Sequence, residues 1–462
     1  MNEVAAVPHR GPGLFMIGLL ASLAGLMFGL DIGVISGAQQ FIETELHVSA
    51  QSMGLIVSAM MAGAAVGSLG CGWASAALGR KRSLIVGGIV FVIGSIGCSQ
   101  AGSAESLIVW RFVLGLAVGV ASYTAPLYIA EIAPEAIRGR MISTYQLMLT
   151  SGILLAFLSD TAFSYHGHWR WMLGIIALPG VLFLLGLLVL PFSPRWLLMR
   201  GRREEAHEVL MGLRGGLRRV VDAEIDDIDR QLKKPQQGWG LFRSSPHFRR
   251  SVGLGVLLQV IQQLTGINVV MYYAPKIFQT MGYAVEAQMW FTAAVGLVNV
   301  LATLLAMAVI DRWGRRPTLL AGFSVMAAGL AMISWTMRHG APATHGLQLF
   351  TVIMLLVFIA GFAMSAGPLI WTLCSEIQPL KGRDFGIAAS TVTNWGANMV
   401  VGFTFPLMLS GLGSSRTFLL YAVLNALFIA FTLALVPETK GMTLEAIENN
   451  LMAGKPLRRI GR

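Results

Sequence analysis

Charged residues are scarce in this chain of 462 residues, because Asp, Glu, Lys and Arg together make up only 12% of it. A soluble domain carries about 25% of such residues, so the composition excludes an ordinary soluble protein. Hydrophobic residues account for 55% of the chain, and its 53 glycines are typical of helices that pack closely in lipid. The composition therefore predicts a helical membrane protein.

Cysteine is also scarce, and Cys71, Cys98 and Cys374 lie in or at the end of apolar runs without metal-binding or redox spacing. We predict that they are packing residues. The sequence has no constellation of His, Asp and Glu, no phosphate-binding loop and no metal-ligand spacing. We therefore expect no enzyme activity, no cofactor and no metal. The first apolar segment is long and lacks a cleavage site, which argues against a cleaved signal peptide.

Twelve apolar segments are long enough to cross a bilayer on a window of about 19 residues. Their predicted bounds are 14–36, 52–77, 83–103, 106–130, 141–160, 171–191, 251–273, 287–310, 317–337, 347–375, 385–410 and 417–436. Phe405-Pro406 interrupts the eleventh of them. Most of the 34 Lys and Arg residues lie on the side shared by both termini, which places both termini in the cytoplasm.

One long polar insert, residues 192–250, separates the two sets of six segments. We predict short amphipathic cytoplasmic helices there, between an N-terminal six-helix bundle (1–191) and a C-terminal bundle with a tail (251–462). The basic residues of the insert are expected to face the cytosol and the lipid headgroups, so the lipid bilayer is a partner of the chain.

Three short motifs recur roughly 240 residues later, each after the equivalent segment of its half. The motif pairs are Gly79-Arg80-Lys81 with Gly314-Arg315-Arg316, Glu131-Ile132-Ala133-Pro134 with Glu376-Ile377-Gln378-Pro379, and Pro191-Phe192-Ser193-Pro194 with Pro437-Glu438-Thr439-Lys440. Two halves that run in the same sense are related by a pseudo-two-fold axis along the membrane normal, with a substrate site near the midplane between them. The predicted fold is all-α, with twelve transmembrane helices in two halves.

The seventh segment carries a polar stripe on one helix face. The stripe occupies positions i, i+3, i+4 and i+7 and consists of Gln259, Gln262, Gln263 and Gly266. Buried amides are costly in hydrocarbon unless they face protein or water. Gly266 and Pro275 invite a break in the helix, as at transporter sites. We interpret the stripe as a binding site; the alternative is hydrogen bonding to neighbouring helices only.

Two formal charges, Asp31 and Arg111, lie inside the predicted membrane core at matching depths. A buried charge needs a partner, so we expect the two side chains to pair. Gly29 and Gly33 flank the acid, as suits a proton carrier whose surroundings change during a transport cycle. The alternative is a purely structural ion pair.

The motifs that identify a family are Gly25 to Gly33, Arg111, Glu131 to Gly139, Gln262 to Pro275, Asp311 to Arg316, Gly367 to Trp371, Glu376 to Arg383 and Pro437 to Lys440. Through them the chain resembles the sugar porters of the major facilitator superfamily over essentially its full length. It departs from the family pattern where Phe192 replaces an acidic residue, and where the first Gly-Arg-Lys loop lacks the acid that opens its partner at Asp311. Both departures are expected to loosen the charge network of the first half.

The resemblance implies a symporter of the cytoplasmic (inner) membrane that imports a monosaccharide with protons by alternating access. D-Galactose or a related hexose such as D-glucose is the expected substrate. The alternatives are a pentose such as L-arabinose, or a passive uniporter or sensor that moves no protons. A monomer is the default expectation, and no nucleic acid is expected as a partner.

The resemblance also implies a sugar pocket. Its residues would be Gln146, Gln262, Gln263, Asn268, Tyr272, Trp371, Asn394, Trp395 and Asn398. Amides offer donors and acceptors to vicinal hydroxyls, and an aromatic face covers the C–H face of a sugar ring. By residue count Trp371 lies near the cytoplasmic end of its segment, which fits the pocket poorly unless Gly367-Pro368 breaks that helix. The alternative for Trp371 and Trp395 is an interfacial or packing role.

Charged residues at the cytoplasmic mouths are predicted to form ion pairs that hold an inner gate closed in the outward-open state. They are Arg80, Glu131, Arg138, Asp311, Arg312, Arg315, Glu376, Arg383 and Glu438. Each pair is weak alone, but a network that must break can set the balance of states. The alternative is that these arginines only fix the topology.

Overall fold

The protein is a bundle of helices, seen here in a computed structural model that describes residues 13–232, 238–339 and 344–461. Twelve helical segments of this part of the chain are long and apolar enough to cross a membrane. The predicted number of membrane spans is therefore confirmed, and no strand occurs in the described ranges.

The first half contains six spans. Its helices are α1 (Leu14–Leu46), α2 (Ala50–Leu78), α3 (Arg80–Ser99), α4 (Ala104–Ile132), α5 (Glu135–Ser164), α6 (Trp169–Gly174) and α7 (Ala177–Val189), of which the last two form one span. Helix α1 continues well past its predicted end at residue 36, because polar side chains in its last turns have partners. Gln39, for example, donates from Nε2 to the Tyr272 carbonyl at 2.6 Å.

Four short helices follow the first half. They are α8 (Pro194–Met199), α9 (Arg203–Leu213), α10 (Arg218–Leu232) and α11 (Gly238–Ser244). Helices α8 to α10 share a small core of their own around Trp196, Leu210 and Ile225. Arg214 attaches this core to the first half by donating from Nη1 to the Ile132 carbonyl at the end of α4, at 3.1 Å.

The second half contains the other six spans. Its helices are α12 (Pro246–Leu264), α13 (Ile267–Thr280), α14 (Val285–Trp313), α15 (Arg315–Thr336), α16 (His345–Ala363), α17 (Ala366–Glu376), α18 (Arg383–Leu412) and α19 (Ser414–Leu435), and a short helix α20 (Leu444–Met452) follows. The pair α12 and α13 forms one span, and so does the pair α16 and α17. The two broken spans are the seventh and the tenth.

The two ends of the bundle need names. We call the end that carries Leu14 and Leu435 the terminus face, and the end that carries Leu46 and Val285 the far face.

Within the first half α1 packs on α5 and α2 on α4, while α2 meets α18 and α5 meets α14 across the boundary between the halves. Any side chain at Gly29 or Gly33 would overlap α5. These two glycines therefore permit the close approach of α1 and α5.

The repeated motifs adopt the same backbone in both halves. Gly79 precedes α3 with φ 89° and ψ 156°, and Gly314 precedes α15 with φ 93° and ψ 165°. This left-handed φ favours glycine, which explains why both copies of the motif begin with that residue. The sequence repeat is thus a structural repeat.

Helix α18 passes through Pro406 without a break, so the interruption expected in the eleventh span is absent. Proline has no N–H, and its presence in a helix leaves the carbonyl four residues earlier without its usual donor. That carbonyl belongs to Gly402, and it accepts a hydrogen bond from the Tyr273 hydroxyl at 2.7 Å. A side chain from the seventh span therefore compensates for the proline.

Candidate functional site

The seventh span breaks at Gly266, as the sequence predicts. Gly266 has φ 92°, a left-handed conformation that ends α12 and starts α13. Main-chain carbonyls at the break need new donors. The Thr265 hydroxyl donates to the Gln262 carbonyl at 2.7 Å, and Asn425 Nδ2 donates to the Thr265 carbonyl at 3.0 Å. Side chains therefore satisfy the main-chain carbonyls of Gln262 and Thr265 at the break.

Three amide side chains meet beside this break. Asn394 of α18 donates from Nδ2 to Gln259 Oε1 at 2.6 Å and to Gln262 Oε1 at 2.8 Å. Gln262 donates from Nε2 to the carbonyls of Ala366 and Gly367, at 3.0 and 3.1 Å. Those two carbonyls belong to the first turn of α17, directly after the break in the tenth span. The polar stripe therefore joins the two broken spans to α18.

A second polar group lies along α13. Asn268 donates to the side-chain oxygen of Gln263, and Asn398 of α18 donates to the Tyr272 hydroxyl at 3.1 Å. The Oδ1 atom of Asn398 is buried and has no hydrogen-bond partner among the described residues. An unpaired buried acceptor is costly unless a ligand or water supplies a donor. A sugar hydroxyl is a donor of the required kind.

Aromatic rings adjoin these amides. Trp395 is buried and lies against Phe28 of α1, with ring centroids 5.2 Å apart. Trp371 is 39% exposed and lies in α17. The tenth span is broken just before this helix, which is the condition on which the sequence placed Trp371 in the pocket. Gln146 is half-buried on α5, in the first half. Of the expected pocket residues, those on α12, α13 and α18 are brought together.

The two charges of the membrane core pair as expected. Arg111 Nη1 of α4 lies 2.5 Å from Asp31 Oδ1 of α1, and both side chains are fully buried. Asp31 Oδ2 and the Nε and Nη2 atoms of Arg111 have no partner among the described residues. The pair is therefore incompletely satisfied, unlike a structural ion pair in which every polar atom is bonded.

The helix that carries Asp31 also contacts the polar groups of α13 and α18. Asp31 lies on α1, and Gln39 of the same helix donates to the main-chain carbonyl of Tyr272, whose hydroxyl accepts from Asn398. Phe28 and Asp31 are three residues apart on α1 and so share one helix face. Helix α1 thus contacts both Trp395 and the main chain of Tyr272.

A second buried acid was missed by the sequence interpretation, which counted Asp31 as the lone acid of the membrane core. Asp160 lay at the predicted end of the fifth span, but α5 continues to Ser164, and Asp160 is 1% exposed. Its Oδ2 atom accepts the Gly37 main-chain N–H of α1 at 3.1 Å, and its Oδ1 atom has no partner in the described part of the chain.

Charged residues form matching clusters at the terminus face. In the first half Arg80 Nη2 lies 2.7 Å from Glu131 Oε1, and the Ser193 hydroxyl donates to Glu131 Oε2 at 2.5 Å. In the second half Arg315 Nη2 lies 2.9 Å from Glu376 Oε1, and the Thr439 hydroxyl donates to Glu376 Oε2 at 2.6 Å. Both clusters join elements of a single half.

The departure at Phe192 has a structural consequence. Glu438 accepts the main-chain N–H groups of Arg315 and Arg316, each at 3.0 Å, and so caps the N-terminus of α15. Phe192 stands at the equivalent place before α8, where it stacks on Trp196 at 5.7 Å and lies 5.3 Å from Lys81 Nζ. Cation–π and stacking contacts replace a carboxylate cap there.

The remaining residues expected at the gate differ in surroundings. Arg138 and Arg312 are exposed, and Arg383 is half-buried with Nε and Nη2 unpaired among the described residues. The main chain of Asp311 belongs to α14, whereas its side chain lies outside the described part of the structure.

Hydrogen bonds between the halves lie near the far face in the ranges that the structure describes. Besides the bond from Gln39 to the Tyr272 carbonyl, Lys276 Nζ bonds Glu43 Oε2 at 3.0 Å. The Thr161 hydroxyl donates to the Met289 carbonyl at 3.3 Å. These contacts hold the far ends of α1 and α5 against α13 and α14.

Twelve spans, an internal repeat and broken helices that carry polar groups at mid-membrane define a secondary transporter. The model of the family described as "Sugar (and other) transporter" matches residues 17–451. The chain belongs to this family and is therefore a multi-pass membrane transporter with the major facilitator fold, not an enzyme.

Two curated relatives and one solved structure are close to this chain. It is 58% identical to the galactose-proton symporter of Escherichia coli K12 over 448 residues, which cover 97% of this chain and 96% of the relative. It is 52% identical to the arabinose-proton symporter of the same strain over 448 residues, with coverage of 96% and 95%. The xylose transporter XylE from E. coli, in a partially occluded inward open conformation, superimposes with a TM-score of 0.82 at 30% identity, covering 93% of this chain and 99% of that one.

Four functional candidates are missing from the site predicted from the sequence. Gln259 was assigned to the stripe but not to the pocket. Gln39 and Phe28 come from the first half and carry no local motif, so only the packing of the two halves identifies them. Asp160 could have been found from the sequence, because a predicted fifth span that extended beyond residue 160 would have placed this acid inside the membrane.

Proposed function

We propose that the protein is a symporter that imports a monosaccharide together with a proton across the cytoplasmic membrane. The observation that carries this proposal is the buried Asp31–Arg111 pair, in which Asp31 Oδ2 and Arg111 Nε and Nη2 have no partner among the described residues. D-Galactose or a related hexose is the proposed substrate, supported by the 58% identity to a protein named as a galactose-proton symporter.

The sugar would bind where the amides of α12, α13 and α18 converge. Gln262 and Asn394 supply donors and acceptors beside the two broken spans, and the open Oδ1 atom of Asn398 accepts a sugar hydroxyl. Trp395 and Trp371 would cover the apolar face of the ring. Gln146 would contribute from the first half, so that binding draws the halves together.

Proton coupling would act through the charge on Asp31. When Asp31 is ionised, its attraction to Arg111 holds α1 against α4. Protonation removes that attraction and frees α1, which also carries Phe28 against Trp395. Sugar and proton thus favour the same movement of α1, and each strengthens the binding of the other.

The far face is closed in this structure, and we propose that it is the external face, with both termini in the cytoplasm. The Lys276–Glu43 and Gln39–Tyr272 bonds would then form the closed outer gate. Arg138 and Arg383 would help to close the terminus face in the opposite state. Residues 1–191 and 251–462 would move as two bundles joined by residues 192–250, in a monomer.

The proposal is tested with the purified chain in proteoliposomes that contain a pH probe. We expect that D-galactose causes protons to move with the sugar, and that excess unlabelled D-galactose or D-glucose competes best in a panel of hexoses and pentoses. Competition led by L-arabinose would favour a pentose symporter, in keeping with the 52% identity to a protein of that name. Sugar entry without proton movement would favour a passive uniporter.

A further inference from the structure

Asp160 lies one residue before Thr161, which bonds the second half, and the proposed mechanism does not use Asp160. Its carboxyl group is fully enclosed between α5 and α1, and any side chain at Gly37 would overlap it. One oxygen accepts the Gly37 N–H, and the other has no partner within the described ranges. A carboxylate in such a place would be an isolated buried charge, which is very costly, whereas the neutral acid is tolerated.

No basic side chain of the described part of the chain pairs with Asp160. The other charged groups near the far ends of the surrounding helices have partners or solvent. Asp31 pairs with Arg111, Glu43 with Lys276 and Glu45 with Arg170, Glu286 accepts from Tyr165, and Glu105, His166 and His168 are exposed. Asp160 is therefore the enclosed acid without a counter-ion at this end of the described structure.

Contacts between the halves lie directly beside Asp160, and they would break when the far face opens. The next residue, Thr161, bonds the Met289 carbonyl of α14, and Gln39, two residues beyond Gly37, bonds the Tyr272 carbonyl of α13. Ser36 Oγ and Gln40 Nε2 flank Gly37 on α1 and are also buried without partners among the described residues. Water that enters when α13 and α14 withdraw would satisfy these groups and hydrate the carboxyl.

We propose that Asp160 is a second proton-binding site, which takes a proton from the solution at the far face as that face closes and returns it when the face opens. Closure forms an O–H bond on the carboxyl with a proton from hydronium. Opening breaks this bond, leaves the electron pair on the carboxylate and passes the proton to water. The proton returns to the side from which it came, so this site adds no transported proton.

The sign of the effect follows from linkage. The closed far face binds this proton more tightly than the open one, so a lower pH favours closure. One linked proton changes the ratio of closed to open molecules by at most roughly tenfold per pH unit. The inference assumes the alternating movement of the proposed function, but it depends neither on the sugar nor on the coupled proton at Asp31.

The test measures far-face opening in the full chain by the distance between spin labels at Gln51→Cys and Val285→Cys. Both positions are exposed at the far face in opposite halves, and the three native cysteines are buried. We expect the open fraction to rise with pH. The Asp160 and Glu286 variants are made in an Asp31→Asn background, because the proposed function makes the movement of α1 depend on the charge of Asp31. In that background Asp160→Asn, which mimics the neutral acid, should give a high closed fraction that is independent of pH. Glu286→Gln, which removes another acid of the same gate, should retain the pH response.

In the Asp31→Asn background, a pH response that survives Asp160→Asn, or that disappears in Glu286→Gln instead, would overturn the proposal. If Asp160→Asn fails to fold, infrared spectroscopy of an Asp31→Asn background decides the matter. A protonated carboxylic acid band that persists at neutral pH and diminishes as the far face opens is expected. Absence of such a band would show that Asp160 is ionised while enclosed, contrary to the proposal.

Discussion

Asp31 and Arg111 are each other's only ionic partner in the described part of the chain, and both are fully buried. Breaking a buried pair by removing one charge leaves the other uncompensated, at a cost of about 3–5 kcal/mol. The proposed symport cycle would need such a pair to separate and re-form. Protonation of Asp31 would allow this without leaving a bare carboxylate in the membrane.

Asp31→Asn should abolish proton-driven sugar accumulation while sugar exchange across the membrane persists. The amide keeps the shape of the protonated acid but cannot release a proton. Accumulation and exchange of labelled sugar in the same vesicles measure the two activities. Accumulation at the level of the unmodified protein would remove the proton role from Asp31.

Gln262→Ala should weaken sugar affinity by roughly 10- to 100-fold, which is about 1.4–2.8 kcal/mol. The change removes the amide together with its hydrogen bonds to Asn394 and to the carbonyls of Ala366 and Gly367. The matched control is Gln378→Ala, because Gln378 is also a buried amide of the second half but bonds Ser251 away from the cluster. Equal affinity losses in both variants would mean that the stripe serves packing alone.

For individual residues, the sequence predicted those functional side chains that are chemically unusual inside a membrane. An acid, an arginine and clustered amides are costly in lipid, so their presence predicts pairing and a site. Phe28 could not be recognised in the same way, since an aromatic residue in an apolar helix has no distinctive signal. Asp160 was not recognised as a buried acid because the helix continues beyond the end of the apolar run from which the span was predicted.

The broken seventh span illustrates how an element creates a site. The residues before Gly266 point their amides toward α17 and α18, and those after it bring Asn268 and Tyr272 to the same region. A continuous helix would rotate these two groups relative to each other. Glycine and proline predicted the break correctly at Gly266, whereas Pro406 was misjudged because the donor that replaces its N–H comes from Tyr273, on a distant span.

Gly266→Ala should destabilise the protein by about 1–3 kcal/mol, because alanine is strained at φ 92°. A Cβ atom there would also lie 3.0 Å from the Tyr421 ring. The control is Gly253→Ala in α12, where the backbone is helical and no atom lies within 4 Å of the new Cβ atom. Thermal unfolding in detergent compares the two variants, and an undiminished Tm for Gly266→Ala would refute the requirement for glycine at the break.

The whole molecule is held in one conformation by contacts between its halves near the far face. This state was not predictable from the sequence, because the same residues serve both states and their free energies differ by only a few kcal/mol. The predicted gate at the terminus face stays a prediction. The Arg80–Glu131 and Arg315–Glu376 pairs lie within their own halves in this conformation.

Lys276→Gln should shift the molecules toward an open far face. Its ion pair with Glu43 joins the halves and is partly exposed, so its loss is worth at most about 1 kcal/mol, or roughly a fivefold change in the population ratio. Arg170→Gln is the control, because Arg170 pairs with Glu45 within the first half. Spin-label distances across the far face measure the shift, and equal responses of the two variants would contradict the assignment of the gate.

The most direct test of the account is accumulation of labelled D-galactose in proteoliposomes under an imposed pH gradient, acidic outside. The account predicts that the unmodified protein concentrates the sugar above its external level, that collapse of the gradient abolishes this excess, and that Asp31→Asn never shows it. Sugar entry that is the same with and without the gradient would contradict the account and would identify the protein as a passive carrier.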